Sequence, residues 1–487
     1  MKNFFLTVLL LFIVLSPMKG QTVTFDEEGT YQTLYRMLAC PYDENGMGDI
    51  DNYDAGSTDF VRMLWNLNEL TTDEAMCWWN DPGIPELNWN QWTHQTSSPK
   101  CMFWRLYIGI FKANLYLENA PAELKQRSAE VRFLRALFYF HVLDLFGNAP
   151  LMTSTNINLF GRFYEYARAA GIDTSIMSDE EFISKYQAYE DNTVARPEQV
   201  GCTALFDFIV SELKSCETDL PVPGSESYAR PSKAAAWLLL ARLYLNAFVY
   251  TGTSQWELAH EYAKKVIDSN AYTLCSNYRY LFMGDNATNG AQHETLFAID
   301  ATQRPYSWGC TTYLIASTVN SKYDNGITER WETGVHARGD IVNKFQLHAD
   351  DRALFYTEGR SQVVETFDDS HQGYGFVKFT NVFSDGTSPG TQFADTDFPL
   401  MRLAEAYLTI AEVDARLNNG TCTSVGISML NKLRTRAHAN ELPTATLNDI
   451  ADEWAREFMF EGRRRSDLIR MNLFTGSNYL WDWKGGQ

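Results

Sequence analysis

Basic charge is scarce in this sequence. The 487 residues include 41 Lys and Arg against 61 Asp and Glu, a formal net charge of −20. Gripping a polyanion needs a basic footprint, so nucleic acid is excluded as a partner and anionic lipid surfaces are disfavoured. Long apolar runs are missing beyond the N-terminus, where none approaches the ~18 residues of a membrane span. The eight cysteines form no CxxC pair and share no zinc-finger spacing with histidine, which removes the usual structural zinc sites. There is no phosphate loop, no HExxH and no GxSxG. The acidic turn "DIDNYD" at 49–54 lacks the spacing and terminal Glu of a calcium loop. No metal and no cofactor are therefore expected.

What is present begins with a leader. Lys2 precedes an apolar run from Phe4 to Leu15, broken only by Thr7. That length suits an export signal and is too short to cross a bilayer, so residues 1–20 read as a signal peptide. Aromatics are plentiful, with 13 Trp, 25 Tyr and 30 Phe. A helical core needs fewer, and the excess can pack or can line a binding surface. With export permitting disulfides but no pairing legible, most cysteines are expected to be small buried hydrophobes.

Helical periodicity dominates the rest, and little reads as strand. Apolar residues recur at helical spacing over 103–120, 130–146, 202–220, 230–250 and 254–270. Pro121 ends the first of these, Gly147 the second, and Ser232 is placed to cap the fourth. Three more helices follow at 400–418, 424–439 and 447–472. Small residues (Ala235, Ala236, Ala241, Ala404, Ala411) allow close approach between helices. The whole predicts a mostly α fold: tetratricopeptide-like helix pairs in a superhelical scaffold, with long irregular loops and minor β. Scaffold falls at about 103–270 and 400–472. Recognition loops fall at about 41–100 and 271–399, with one short strand at 294–300.

Several segments, in order along the chain, resemble one family. They are "LTTDEAMCWWNDPGIPELNWNQW", "AEVRFLRALFYFHVLDLFGNAPL", "RPSKAAAWLLLARLYLNA", "FADTDFPLMRLAEAYLTIAEVDAR", "LNKLRTRAH" and "REFMFEGRRRSDLIR". Together they resemble the SusD/RagB-like nutrient-binding proteins of Bacteroidetes-type bacteria, in the starch-utilisation branch. The resemblance implies a single SusD-like domain over 21–487, built on four tetratricopeptide-like pairs. It implies a non-catalytic subunit at the outer face of the outer membrane. Such a subunit captures an oligo- or polysaccharide, here an α-glucan, and passes it to a SusC-like TonB-dependent transporter. Family members carry a lipid-anchor cysteine just after the leader. Residue 21 is Gln and no Cys precedes Cys40, which leaves docking to the transporter as the alternative means of retention. The family also continues into an Asn/Pro-rich tail where this chain ends in "YLWDWKGGQ", so a truncated tail is expected.

By the same resemblance Trp79, Tyr306 and Trp331 take three ring-stacking positions against sugar. Asp54 and Arg62 hydrogen-bond its hydroxyls, and Trp78, Trp308 and Asn80 are close enough in sequence to substitute. The chemistry is sound, because sugars offer apolar C–H faces to flat rings and hydroxyls to neighbouring polar groups. Each ring is equally compatible with plain packing. Two other readings stay open. One is an oligopeptide-binding uptake subunit. The other is an exported glycoside hydrolase, which would need two carboxylates about 5–10 Å apart. Arg132, Arg135 and Asp144, set in a greasy helix, read as a structural ion-pair network, with Glu405, Glu412, Glu461 and Asp467 as candidate partners for the arginines.

Overall fold

In the computed structural model the described residues are 25–39, 50, 55–155, 199–301, 308–318, 322–331, 334–345 and 349–475, with scattered positions between 167 and 188. The signal peptide expected at 1–20 and residues 476–487 lie outside them. Helices account for most of the regular structure, and the few strands are two to five residues long.

In chain order the principal helices are α1 (Glu27–Ala39), α2 (Phe60–Glu69), α3 (Ser97–Asn119), α4 (Lys125–Phe146), α5 (Cys202–Cys216), α6 (Lys233–Leu245) and α7 (Trp256–Asp268). They continue with α8 (Cys310–Ala316), α9 (Leu403–Leu417), α10 (Ser424–Arg436), α11 (Leu447–Phe458) and α12 (Arg464–Arg470). The stack runs α3 on α4 on α5, then α6 on α7 on α9 on α10, joined where α5 meets α6. These are the antiparallel pairs of a tetratricopeptide-like scaffold.

Local chemistry sets several of the ends. Ser232 accepts from the Ala234 N–H at 3.2 Å and caps α6. Gly147 closes α4 at φ 69°, a region glycine enters at no steric cost. Gly109 matters for packing: a Cβ there would lie 2.7 Å from the Phe138 ring, so α3 and α4 need glycine to approach. The alanines expected at close crossings, Ala235, Ala236, Ala241, Ala404 and Ala411, are all fully buried.

Among the boundaries that differ from the sequence reading, two trace to buried charge. The helix expected from 400 starts at Leu403. Residues Phe398–Arg402 are instead a strand, antiparallel to Thr295–Ile299. Arg402 stays extended and fully buried. It reaches Glu294 at 2.8 Å, Glu457 at 3.0 Å and Glu461 at 2.8 Å. The helix expected over 447–472 is two helices. Phe460 (φ 62°) and Gly462 (φ 73°) break it and turn Glu461 inward to Arg402 and Lys378.

Further ion pairs join this centre. Arg352 contacts Glu453 and Glu457, and Arg436 contacts Glu294 and Glu457. Burial pushes the Glu457 carboxyl up, but the guanidiniums of Arg436, Arg402 and Arg352 outweigh it and hold it at about 2.

The arginines of α4 are structural, but their partners are not those expected. Arg132 and Arg135 both meet Glu212 on α5, at 3.0 and 2.5 Å, and Arg135 also donates to Asn114 at 2.8 Å. Glu405, Glu412, Glu461 and Asp467 are engaged by other arginines. The reason is adjacency, since α5 packs directly on α4 and the late helices do not supply its charge partners. Asp144 accepts from Tyr250 at 2.7 Å and from Ser466. Arg135→Ala should therefore cost about 3–5 kcal/mol, because Glu212 is buried and loses its closest cation. Thermal melting reads this, and ligand specificity should be unchanged. A variant that melts like the wild type but has lost binding would contradict the structural role.

One hydrophobic cluster runs from Tyr31 to Phe460 through nearly every element. Among the described residues seven cysteines are free, five of them buried. No described helix is long and apolar enough to cross a membrane.

Candidate functional site

The two loop regions are brought together by a small ribbon. Ala75–Cys77 pairs antiparallel with Val335–Ala337, with Cys77 opposite Val335. The Trp78 N–H continues the ladder to the Gly334 carbonyl at 3.0 Å. This register sets residue 79 beside the 331–334 turn. The Trp79 ring lies across Gly334, where a Cβ would fall 1.9 Å from the indole, so only glycine permits the contact. The Trp331 N–H donates to the Ala316 carbonyl at 2.9 Å, which ties the turn to the end of α8.

The result is a row of rings. Trp79 and Trp331 have centroids 6.1 Å apart, Trp331 and Trp308 5.8 Å, and Trp308 and Phe393 4.8 Å. The three tryptophans are each partly exposed. Tyr313 of α8 is fully buried beneath them, 6.4 Å from both Trp79 and Trp331. Burial pushes its hydroxyl well up, so it stays protonated and donates to Asn66 at 2.8 Å. The same burial lifts the Cys77 thiol beside it to about 12, which leaves it inert.

Polar groups surround the row. Arg62, on the first turn of α2, sets its guanidinium 4.5 Å over the Tyr313 ring. Its Nε is buried with no hydrogen-bond partner, and among the described residues no carboxylate pairs with it. Asp59 positions it: one carboxylate oxygen accepts the Arg62 N–H at 2.9 Å and the Cys310 N–H at 2.8 Å, pinning the starts of α2 and α8 together. Asn80 and Asp81 are exposed beside Trp79.

Of the expected site residues, Trp79, Trp331 and Arg62 are brought together. Asp54 and Tyr306 lie outside the described residues. Trp308, named only as a substitute, sits within the row. Phe393 and Tyr313 were missed. Tyr313 lies on α8, within a region expected to be irregular loop, and is buried beneath the row. Phe393 carries no local signal and reaches Trp308 only through the chain fold. Among the described residues no cluster of three His, Cys, Asp or Glu could hold a metal. Partly exposed rings beside a guanidinium suit a polyhydroxylated ligand, held by stacking and hydrogen bonds.

Comparison with known proteins gives consistent findings. A family model described as "SusD family" matches residues 351–485, and one described as "Starch-binding associating with outer membrane" matches 50–245. The chain is 35% identical to the Starch-binding protein SusD of Bacteroides thetaiotaomicron, across 97% of this chain and 88% of that protein. It is 26% identical to a SusD-like protein of Bacteroides ovatus, across 70% of this chain and 58% of that one. Among solved structures, a SusD homologue from Bacteroides thetaiotaomicron superposes with a TM-score of 0.67 at 19% identity, covering 92% of this chain and 86% of the other. Another, solved with xylogluco-oligosaccharide, gives 0.68 at 21%, covering 92% and 83%.

Proposed function

The chain belongs to the SusD family, and on that footing we propose that it is a non-catalytic cell-surface subunit that captures a glycan. The α-glucan class is the ligand this reading favours, and a SusC-like TonB-dependent outer-membrane transporter is the partner that receives it. The chain acts as one SusD-like unit over 21–487 in this reading, peripheral at the outer membrane. The observation that carries it is the row Trp79, Trp331 and Trp308 beside Arg62, whose guanidinium is paired with no carboxylate among the described residues. Flat rings stack on the C–H faces of sugar, and the guanidinium and Asn80 supply donors for its hydroxyls. Tyr306 and Asp54 are proposed as further contacts on the same glycan. Support comes from the starch-binding name of the relative that matches nearly the whole chain, and from the oligosaccharide in a solved protein of the same fold. A shallow site of this kind binds at roughly micromolar to millimolar strength, about −8 to −4 kcal/mol.

Native affinity electrophoresis of the exported protein through starch, pullulan, inulin, xylan and mannan tests the proposal. The expected outcome is retardation by starch and pullulan with no release of reducing sugar. Sugar release would establish a hydrolase instead. Lack of retardation by every polysaccharide would overturn the glycan reading in favour of a peptide ligand.

A further inference from the structure

Trp89 is the one exposed tryptophan among the described residues, with 46% of its surface open to solvent. An open indole offers a flat apolar face on which the C–H face of a sugar can stack. The backbone at this position is well fixed. The Trp89 main-chain N–H closes the helical turn Ile84–Asn88 by donating to the Pro85 carbonyl at 3.0 Å. Asn90 follows at φ 54°, a left-handed conformation that asparagine tolerates better than most residues. The Asn90 side chain fixes that turn by donating to the Thr71 carbonyl at 3.2 Å. On its other side the Trp89 ring meets Phe367 edge to face, with centroids 4.7 Å apart. Phe367 in turn lies 5.9 Å from the guanidinium of Arg338, which pairs with Asp340 at 3.1 Å.

This second aromatic platform belongs to the same ribbon as the first. Asn88, next to Trp89, hydrogen-bonds both backbone groups of Cys77. Cys77 is two residues from Trp79. Arg338 directly follows the partner strand Val335–Ala337, at the end away from Trp331, and its N–H donates to the Glu74 carbonyl at 2.8 Å. Summing these links puts the two tryptophan Cα atoms no more than about 18 Å apart. A single glycan chain of several sugar units is long enough to reach from one platform to the other.

Building on the glycan-capture reading, we infer that Trp89 and Phe367 form a second glycan-stacking subsite, engaged only by the extended part of a chain already held at Trp79 and Trp331. It makes the protein selective for polymer over short oligosaccharide. The two platforms act on one strand, so the second contact becomes intramolecular and adds avidity without a new partner.

The test compares the whole exported protein with Trp89→Ala and Trp89→Phe, using amylopectin in affinity gels and maltotriose in calorimetry. Trp89→Ala is expected to weaken amylopectin binding about 3- to 10-fold and to leave maltotriose affinity and the melting temperature unchanged. Trp89→Phe should restore part of the loss. Unchanged amylopectin binding by Trp89→Ala, with the wild type bound normally, removes the second subsite and leaves the first intact. An equal loss on maltotriose, or a lowered melting temperature, assigns Trp89 to structure instead. A wild type that binds neither probe takes down the glycan reading and this extension together.

Discussion

Arg402→Met should lower the melting temperature by roughly 3–5 °C, corresponding to about 3–5 kcal/mol for breaking a buried ion pair. The side chain is fully buried, and its guanidinium serves three carboxylates at once, on Glu294, Glu457 and Glu461. It also donates to the Glu457 carbonyl at 3.0 Å and lies 4.2 Å over the Phe458 ring. Methionine keeps most of the stem and its packing, so the loss reports on charge. Arg436, Arg352 and Lys378 remain, each paired with at least one of the same three carboxylates, but none reaches all three as Arg402 does. Acid sensitivity should move in the same variant. The Glu457 carboxyl, held at about 2 in the fold, stabilises the protein above the ordinary carboxylate value, and that stability is lost as pH falls toward 2. With Arg402 gone its folded value rises, so acid unfolding should begin at higher pH. Calorimetry at neutral pH and an acid titration followed by circular dichroism check both. A variant that melts like the wild type would show that the centre contributes specificity of packing and no net stability.

The second large effect concerns binding. Trp79→Ala combined with Trp331→Ala should reduce α-glucan affinity at least about 30-fold, from two aromatic contacts at ~1 kcal/mol or more each. Trp79 and Trp331 are adjacent in the row, so removing both deletes its continuous part. Each also contacts the Tyr313 ring, and some loss of stability will accompany the change. The control is therefore the melting temperature, with Arg135→Ala as a variant that is destabilised elsewhere and still binds. A double variant with wild-type affinity for every polysaccharide would mean the row is packing only.

Much of the scaffold was legible because its signals are local. The 3.6-residue period of α3 to α7, the Ser232 cap and the Gly147 stop depend on neighbours a few residues away. What escaped depends on partners far along the chain. Arg402 stays in a strand, and the last long helix breaks at Phe460, because Glu461 must reach it from 59 residues beyond. Arg135 chose Glu212 over the late acids because of which helix packs beside it, and periodicity does not encode that. The site divides in the same way. Trp79, Trp331 and Arg62 were read from motifs resembling a family. Their meeting is produced by three ribbon pairs joining residues 75–77 to 335–337. Phe393 enters the row through that tertiary arrangement alone.

The measurement that bears most directly on the central claim is calorimetric titration of a malto-oligosaccharide of about seven units into the wild type and the Trp79/Trp331 double variant, side by side. The wild type should show saturable binding in the micromolar to millimolar range, and a folded double variant no measurable heat. Equal binding by both would contradict that claim, as would no binding by the wild type.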